Sequence, residues 1–399
     1  MIEAVEVEWC DLVDSTNERL LRRPWTVVAN PTPVAAFGDA GAAPFRVSAL
    51  AAREQHAGRG RRQRVWFGEP GMALLLSVAI DRPRPTWPAA LSGFSIACAN
   101  AVIDALESAK VAGQSVESIR IKWPNDLVRL RRRASTPSAP AGGADGASGG
   151  ANRDIWLEKV AGLLIETRQT VDQSRIVIGL GLNLCRPLQG VTTDPCVRGV
   201  LQRQADLAWA CPEPERVETI PGGLPGETER VETIPGGLLD ETARDSVDAQ
   251  VLHELAHRIA QCLLRAWLDF EHSGLASFRA GIGRRDVLRG EWVEIEDDIQ
   301  GHRTPAQGCV VGIDDSGHLL VSPFSSFPPT GVAGKQGSMA ALCEAGLDGE
   351  VSKAGMAHDP GIPAAGSDSC FPGLMRYCGA SVRLLQRKSG PGTLPGARR

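Results

Sequence analysis

The sequence predicts an α+β fold, in which a larger domain with a mixed or antiparallel sheet is followed by a small, separate β domain. Short β-rich runs outnumber helical runs in the first half, and many of them are hairpin-like neighbours. The last third carries short strand-like runs around an Asp-Asp-Ser-Gly turn. The chain has 399 residues, of which 43% are hydrophobic, so it is long enough for two domains and a sizeable core.

The strands of the larger domain are predicted from period-two alternation or from continuous apolar runs. Residues 72–80 are continuously apolar, which is typical of a buried strand. Residues 118–123 alternate isoleucine and tryptophan with polar residues, which is typical of a half-buried strand. Further strands are predicted at 5–9, 46–53, 159–167 and 175–184.

Helices are predicted between and after these strands. A short helix at 18–21 follows Asp14 and Ser15, either of which can cap it by accepting from an unpaired backbone N–H. An alanine-rich helix is predicted at 88–110, and an amphipathic one at 246–271 carries its apolar residues on one stripe. A last short helix is predicted at 275–280. The strands of the small domain are predicted at 292–295, 310–313 and 319–321.

Three segments interrupt this pattern and are predicted to be disordered insertions. Residues 134–151 are of low complexity, and residues 324–374 are rich in glycine, proline, serine and alanine. Residues 186–248 contain a tandem duplication, in which ERVETIPGGLPGET at 215–228 is followed directly by ERVETIPGGLLDET at 229–242. Two copies are too few for a solenoid, so we interpret them as a repeated stretch of surface loop. The predicted domains are 1–283, which contains the first two insertions, and 284–390, which contains the insertion at 324–374.

The composition argues against several classes of protein. A net charge of −4 and a pI near 6.0 do not suit a protein that holds DNA or RNA by counterion release. The ten cysteines form no C-x-x-C pair, and the chain is too long for a secreted disulfide scaffold. The start lacks a signal pattern, and no run of about 18 apolar residues suggests a membrane span. We therefore expect a cytoplasmic enzyme that binds neither nucleic acid nor a membrane.

The strongest local pattern is the glycine- and arginine-rich loop at 53–62, with the sequence REQHAGRGRR. We expect Gly58 and Gly60 to adopt positive φ, which lets a backbone approach a ligand closely. The arginines beside them offer forked donors for a carboxylate or a phosphate. The same pattern suits an RNA-binding arm or a solvated surface loop, so these interpretations stay open for the loop alone.

Three further motifs are ambiguous when each is taken alone. K-W-P-N-D at 122–126 is a turn, or a site for phosphate, metal or ribose. In K-V-A-G-L-L-I-E at 159–166 a lysine enters an apolar strand, which is costly unless an anion meets the amine or the lysine faces solvent from an edge. G-L-G-L-N at 179–183 leaves one strand face bare, which also suits plain backbone packing.

Two other patterns are given little weight. H-E-x-x-H at 253–257 fits a zinc-peptidase motif, but its histidines flank the apolar stripe of the predicted helix, and no third histidine follows at the expected spacing. The basic run at 129–133 is interpreted as a solvated charge cluster beside a disordered loop rather than as a nucleic-acid site.

Taken together and in order, these motifs resemble the biotin protein ligase family. The matching stretches are D-S-T-N at 14–17, Q-H-A-G-R-G-R-R at 55–62, W-F at 66–67, K-W-P-N-D at 122–126, K-V-A-G-L-L-I-E at 159–166 and G-L-G-L-N at 179–183. The resemblance covers most of residues 5–322 apart from the insertions. It implies a mixed-sheet catalytic domain of the biotin/lipoate ligase type, followed by a small SH3-like β-barrel.

The resemblance also implies a role for individual residues. Arg61 and Lys159 would be the catalytic cations, with Lys159 meeting the biotin carboxylate and the α-phosphate. No metal ligand is assigned to the protein. The residues expected around biotin are Ser15, Thr16, Asn17, Gln55, Arg59, Gly60, Arg61, Lys159 and Gly162. The residues expected around ATP are Trp66, Lys122, Asn125, Asp126 and Asn183.

The activity implied is that of an ATP-dependent ligase, with ATP and Mg²⁺ as co-substrate and ion. It would form biotinyl-5'-AMP from biotin and ATP, then transfer biotin to a lysine of a biotin carboxyl carrier protein, a subunit of acetyl-CoA carboxylase. The enzyme would be a monomer or a homodimer. The alternatives are a lipoate or octanoate ligase of the same superfamily, and a non-catalytic biotin sensor that binds DNA. Few residues precede Asp14, which counts against a helix-turn-helix domain.

Overall fold

The computed structural model describes residues 5–25, 45–66, 68–83, 91–109, 119–132, 155–185, 228–231, 233–235, 238–239, 249–296, 306–323, 375–377 and 381–387. The chain divides into two compact units. The first comprises Met1–Glu215, Val231–Val287 and Asp315–Gly317, and the second comprises Arg216–Arg230, Leu288–Asp314 and His318–Arg399. The domain boundary expected between residues 283 and 284 stays a prediction.

The first unit is built on a mixed sheet in the order β1-β2-β3-β7-β6-β5-β4, with β9 beside β6. The β1–β2 and β6–β9 pairs are parallel, and the other pairs are antiparallel. The predicted α+β class with a mixed sheet is therefore confirmed. The strands are β1 Val7–Val13, β2 Arg46–Gln55, β3 Ala73–Pro83, β4 Ile119–Lys122, β5 Asp126–Arg132, β6 Ile155–Gln169, β7 Gln173–Asn183 and β9 Thr233–Pro235.

Helices cover both faces of this sheet. Leu20 on α1 packs against Ala79 of β3, whereas Arg82 of β3 pairs with Glu271 on α3. Positions 79 and 82 are an odd number of residues apart, so α1 and α3 lie on opposite faces. On the α3 face, Phe94 of α2 lies 5.2 Å from the Trp267 ring of α3. The helices are α1 Thr16–Arg22, α2 Phe94–Ala109, α3 Ala249–Ser273 and α4 Arg279–Arg285.

The basic run after the K-W-P-N-D motif is a strand, which the sequence analysis did not predict. β5 pairs with β4 on one side and with β6 on the other. Arg129 is 3% exposed and donates from Nη2 to the Leu238 carbonyl at 3.2 Å. Arg131 pairs with Glu158 at 2.8 Å. The interpretation of this run as a solvated charge cluster is therefore wrong at Arg129, which is buried, whereas the Arg131 side chain stays 40% exposed beside its partner.

The segment 186–248, predicted to be a disordered insertion, is structured in part. The described residues of the second repeat copy include β9, and Val231 and Leu238 are buried. Leu238 donates its backbone N–H to the Asn183 carbonyl at 2.8 Å. The interpretation of both copies as plain surface loop is wrong for these residues. The insertions at 134–151 and 324–374 lie outside the described residues.

The second unit is a separate antiparallel sheet, in the order β13-β12-β11-β10-β14-β8. The small β domain predicted at the end of the chain is therefore confirmed. The strands are β8 Thr228–Arg230, β10 Trp292–Glu296, β11 Ala306–Ile313, β12 Leu319–Pro323, β13 Met375–Tyr377 and β14 Ser381–Arg387.

The histidines of the H-E-x-x-H pattern make ordinary packing contacts. The His253 ring stacks on Trp9 with centroids 4.3 Å apart, and His257 Nδ1 lies 3.1 Å from the Val5 carbonyl oxygen. These contacts agree with the low weight given to zinc. In the described part of the chain, no helix has the length and apolar character needed to cross a membrane.

Candidate active site

The glycine- and arginine-rich loop is a tight turn held by its own backbone. Gly60 N–H donates to the Arg64 carbonyl at 2.7 Å, and Trp66 N–H donates to the Gly58 carbonyl at 2.9 Å. A Cβ at Gly58 would lie 2.4 Å from the Trp66 carbonyl oxygen, so this glycine is needed for close backbone approach. The expected positive φ occurs at neither Gly58 nor Gly60, and the φ of Gly60 is −107°. Positive φ occurs at Arg62 and Gln63 instead.

The loop delivers the Trp66 indole onto a patch of bare backbone. Gly162 of β6 and Gly181 of β7 are partners across the two strands. A Cβ at Gly181 would lie 2.2 Å from the indole, and one at Gly162 would lie 3.0 Å from it. The two glycines are therefore what lets the ring lie flat on the sheet. The indole Nε1 is buried and has no acceptor among the described residues.

A β-bulge turns Lys159 toward the same patch. Between Leu127 and Val128 of β5, the pairing on β6 advances by two residues, from Ala161 to Lys159. One residue of β6 is thus extra, which resets the alternation and puts Lys159 on the same face as Gly162. The Lys159 amine lies 5.2 Å from the Trp66 ring centroid. In a regular strand a spacing of three would put Lys159 and Gly162 on opposite faces.

The K-W-P-N-D turn joins Lys159 to Arg61. Lys159 Nζ pairs with Asp126 Oδ1 at 2.8 Å, and Arg61 Nη1 donates to Asn125 Oδ1 at 3.5 Å. The Asn125 amide donates in turn to the Leu163 carbonyl at 2.6 Å, which anchors the turn to β6. The two cations expected from separate motifs therefore reach consecutive residues of one turn.

The electrostatic setting of Arg61 differs from that of Arg59. Burial lowers the pKa of the Arg61 guanidinium, neighbouring Arg62 lowers it further, and Asp126 acts in the opposite direction. A hydrogen bond to Glu18 raises the pKa of Arg59, and Glu166 adds to this effect. An arginine stays charged at neutral pH in either case. Arg61 is thus a desolvated cation near the Lys159 amine, whereas Arg59 ties the loop to α1 and β6.

The residues expected around the biotin ring meet at the start of α1. Ser15 caps the helix, because its hydroxyl accepts from Glu18 N–H at 3.4 Å. Gln55 Oε1 accepts from Thr16 N–H at 2.6 Å and lies 3.0 Å from the Thr16 hydroxyl. Asn17 Nδ2 donates to Glu166 Oε2 at 2.9 Å. These side chains form one polar cluster in an otherwise apolar part of the sheet.

Two members of this cluster were missed by the sequence analysis. Ser77 is fully buried in β3, and its Oγ lies 2.7 Å from Thr16 Oγ1 and 2.6 Å from Asn17 Oδ1. Glu166 stands at the end of a quoted motif and received no role. Gly179 makes room for the cluster, since a Cβ there would lie 2.2 Å from Asn17 Oδ1. The one available signal for Ser77 was a single hydroxyl inside an apolar run.

Lys122 and Asn183, expected near ATP, lie where the second repeat copy meets the sheet. Lys122 Nζ donates to Thr233 Oγ1 at 3.0 Å. The Asn183 carbonyl accepts from Leu238 N–H, and Asn183 is 5% exposed. The sequence analysis named both sheet residues and did not connect them with the repeat.

The comparisons with known proteins concern the same part of the chain. The model of the biotin/lipoate A/B protein ligase family matches residues 47–183. Residues 47–183 are therefore similar to this ligase family. The match includes Gln55, the loop, the K-W-P-N-D turn, β6 and β7, and it leaves out α1 and the repeat.

Curated proteins similar to this chain include the bifunctional ligase/repressor BirA of Salmonella typhimurium and that of Escherichia coli. They are 32% and 31% identical over 174 residues, which is 43% of this chain and 39% of each relative. The matched region thus spans well under half of these relatives. With the family match, they confirm the resemblance to biotin protein ligases that the motifs indicated.

A similar solved structure is that of the biotin protein ligase from Aquifex aeolicus in complex with biotin and ATP. It is 19% identical to this chain, covers 79% of this chain and 90% of its own, and has a TM-score of 0.43.

No group of three or more His, Cys, Asp or Glu side chains that could hold a metal ion occurs in the described part of the chain. Asp126, the carboxylate beside Lys159, is engaged by the lysine amine.

Proposed function

We propose that this protein is an ATP-dependent biotin protein ligase. It forms biotinyl-5'-AMP from biotin and ATP and transfers the biotin to a lysine of a biotin carboxyl carrier protein. One observation carries the proposal: Arg61 and Lys159, on different elements, reach the neighbouring residues Asn125 and Asp126. Two cations at one turn suit a reaction between two anions.

The first step needs that charge. The biotin carboxylate attacks the α-phosphorus of ATP, a new C–O–P link forms, and pyrophosphate leaves. Both reactants are negatively charged, so their approach is repulsive unless cations flank it. Fixed charges aimed at the reacting atoms are usually the largest catalytic contribution. Lys159 and Arg61 fill this role, with Mg²⁺ on the phosphates supplying further neutralisation.

The polar cluster at α1 suits the ureido end of biotin. A ureido ring offers one carbonyl acceptor and two N–H donors, so it needs hydroxyl, amide and carboxylate partners. Ser15, Thr16, Asn17 and Gln55 supply the hydroxyl and amide groups, and Glu166, bonded to Asn17, supplies the carboxylate. These groups are already bonded to one another, so they form a preorganised polar surface that favours a polar ligand over an apolar one.

The ATP end is assigned to the surroundings of the K-W-P-N-D turn and Trp66. The Trp66 indole suits stacking with a flat ring system, and Lys122 is a cation for phosphate. Arg59 and Gly60 belong to the loop that closes over the adenylate. The adenylate is a mixed anhydride that must be kept from water until the carrier lysine attacks its carbonyl and AMP leaves.

We place the enzyme in the cytoplasm as a monomer or homodimer that needs neither nucleic acid nor membrane.

The test is incubation of the full chain with biotin, ATP, Mg²⁺ and a biotin carrier domain, read by intact mass. The carrier should gain one biotinyl group, and biotinyl-5'-AMP should form when the carrier is left out. A carrier whose acceptor lysine is replaced by arginine is the matched control and should stay unmodified. Absence of both products, with ATP and biotin at saturating concentrations, would refute the proposal.

A lipoate or octanoate ligase is the second candidate, because the matching family includes lipoate ligases. The two functions predict different acids in the adenylate. Parallel reactions with biotin, lipoate and octanoate, each read by mass, separate them. Formation of lipoyl-AMP without biotinyl-AMP would replace our assignment.

A further inference from the structure

The second copy of the 14-residue repeat lies against the proposed ATP site. β9 of this copy pairs in parallel with β6, with Thr233 opposite Leu157 and Pro235 opposite Lys159. A proline lacks the N–H that a ladder needs, which accounts for the end of the strand at Pro235. The repeat is thus attached to the strand that carries the proposed catalytic lysine.

Two more contacts fix this copy to residues expected around ATP. The Lys122 amine donates to Thr233 Oγ1 at 3.0 Å. Further along, Leu238 is fully buried, and its backbone N–H donates to the Asn183 carbonyl at 2.8 Å. The buried guanidinium of Arg129 donates to the Leu238 carbonyl. A lysine has a long, flexible side chain, so a hydroxyl that holds its amine limits where its charge can lie.

The sequence of the repeat indicates which copy can take this position. Both copies read ERVETIPGGL, so Thr219 corresponds to Thr233. The copies diverge at the next residue, which is Leu239 in the second and Pro225 in the first. Leu239 N–H donates to the Leu184 carbonyl at 2.6 Å, and Leu184 is buried. Pro225 has no N–H, so the first copy could not make this bond.

We infer that residues 233–235 and 238–239 of the second repeat copy form one side of the nucleotide site and that Thr233 is a positioning residue for the Lys122 amine. The inference rests on the proposed ATP-dependent function. The sequence of the second copy suits this position, whereas Pro225 makes the first copy unsuited to it.

The test compares Thr233→Val with Thr219→Val, the same change in the other copy, and with the conservative Thr233→Ser. Thr233→Val should raise the KM for ATP about five- to ten-fold, as expected for loss of one hydrogen bond of ordinary net strength. The kcat and the KM for biotin should stay within about two-fold. Thr233→Ser should restore the KM for ATP, and Thr219→Val should match the parent.

A second readout does not depend on turnover. Reductive methylation of lysines, followed by peptide mass spectrometry, should modify Lys122 faster in Thr233→Val than in the parent or in Thr219→Val. A parent that makes no adenylate but shows this labelling difference would overturn the proposed function and support the contact. Equal labelling in all variants, equal effects of the two valine variants, or an unchanged KM for ATP in Thr233→Val would each overturn the inference.

Discussion

Replacement of Lys159 by alanine separates catalysis from stability in this site. The lost ion pair with Asp126 is partly exposed, at 30% and 22% for the two side chains. Such a pair contributes up to about 1 kcal/mol, and the contact with the Trp66 ring adds roughly 0.5–1 kcal/mol. Loss of a preorganised charge at the reacting atoms costs about 3–4 kcal/mol, or roughly 10²–10³ in rate. The variant should therefore fold and fail in adenylation.

The assay for Lys159→Ala is single-turnover release of pyrophosphate from ATP and biotin, with thermal unfolding measured in parallel. Arg131→Ala is the matched control, since Arg131 pairs with Glu158 at 2.8 Å from the neighbouring strand with a similar exposure. Both variants should lose similar stability, and only Lys159→Ala should lose rate. An adenylation rate within about three-fold of the parent, far from the roughly 10² expected, would refute the catalytic role.

Three further predictions test the glycine backbone under Trp66, the polar cluster at α1, and the glycine- and arginine-rich loop. Gly181→Ala would bring a Cβ to 2.2 Å from the Trp66 indole, so the ring would be displaced from the sheet. The KM for ATP should then rise in steady-state assays, and an unchanged KM would contradict the stacking role of Trp66. Ser77→Ala removes a buried partner of Asn17 and should cost about 1–3 kcal/mol of biotin affinity by titration calorimetry, with parent-like affinity counting against this assignment. Arg61→Gly should let the adenylate escape from the site, so biotinylation of bystander proteins should rise. Bystander biotinylation at the parent level would refute the proposal that this loop closes over the adenylate.

Some residues that the sequence singled out by type and order lie close together in the structure. Arg61 and Lys159 were singled out from loops and strands far apart in the chain, and they reach adjacent residues of one turn. The strands around them were also predicted, because apolar runs such as 72–80 are unambiguous. Glycine was interpreted correctly as bare surface at positions 162 and 181, although the flat group lying there in this structure is Trp66.

Other features depend on tertiary contacts that no local pattern records. β5 was missed because its arginines look solvent-facing, whereas Arg129 is buried and its guanidinium finds an acceptor in the Leu238 carbonyl. Ser77 was missed because a single hydroxyl in an apolar strand gives no signal in the sequence. Its role is visible only in the fold, where the polar side chains of α1 lie against it. The second repeat copy was interpreted as loop because β9 has only three residues, and its strand conformation depends on pairing with β6.

The extra residue in β6 has a consequence for comparing distant sequences of this family. Lys159 and Gly162 share a face only because the strand takes up one surplus residue between them. A chain with a single residue between the lysine and the glycine would present both groups on that face with an unbroken pleat. A one-residue gap between this lysine and this glycine in an alignment therefore leaves both residues on the same face of the strand. A one-residue gap on the other side of Gly162 would instead move the following side chains of β6 to the opposite face relative to β7.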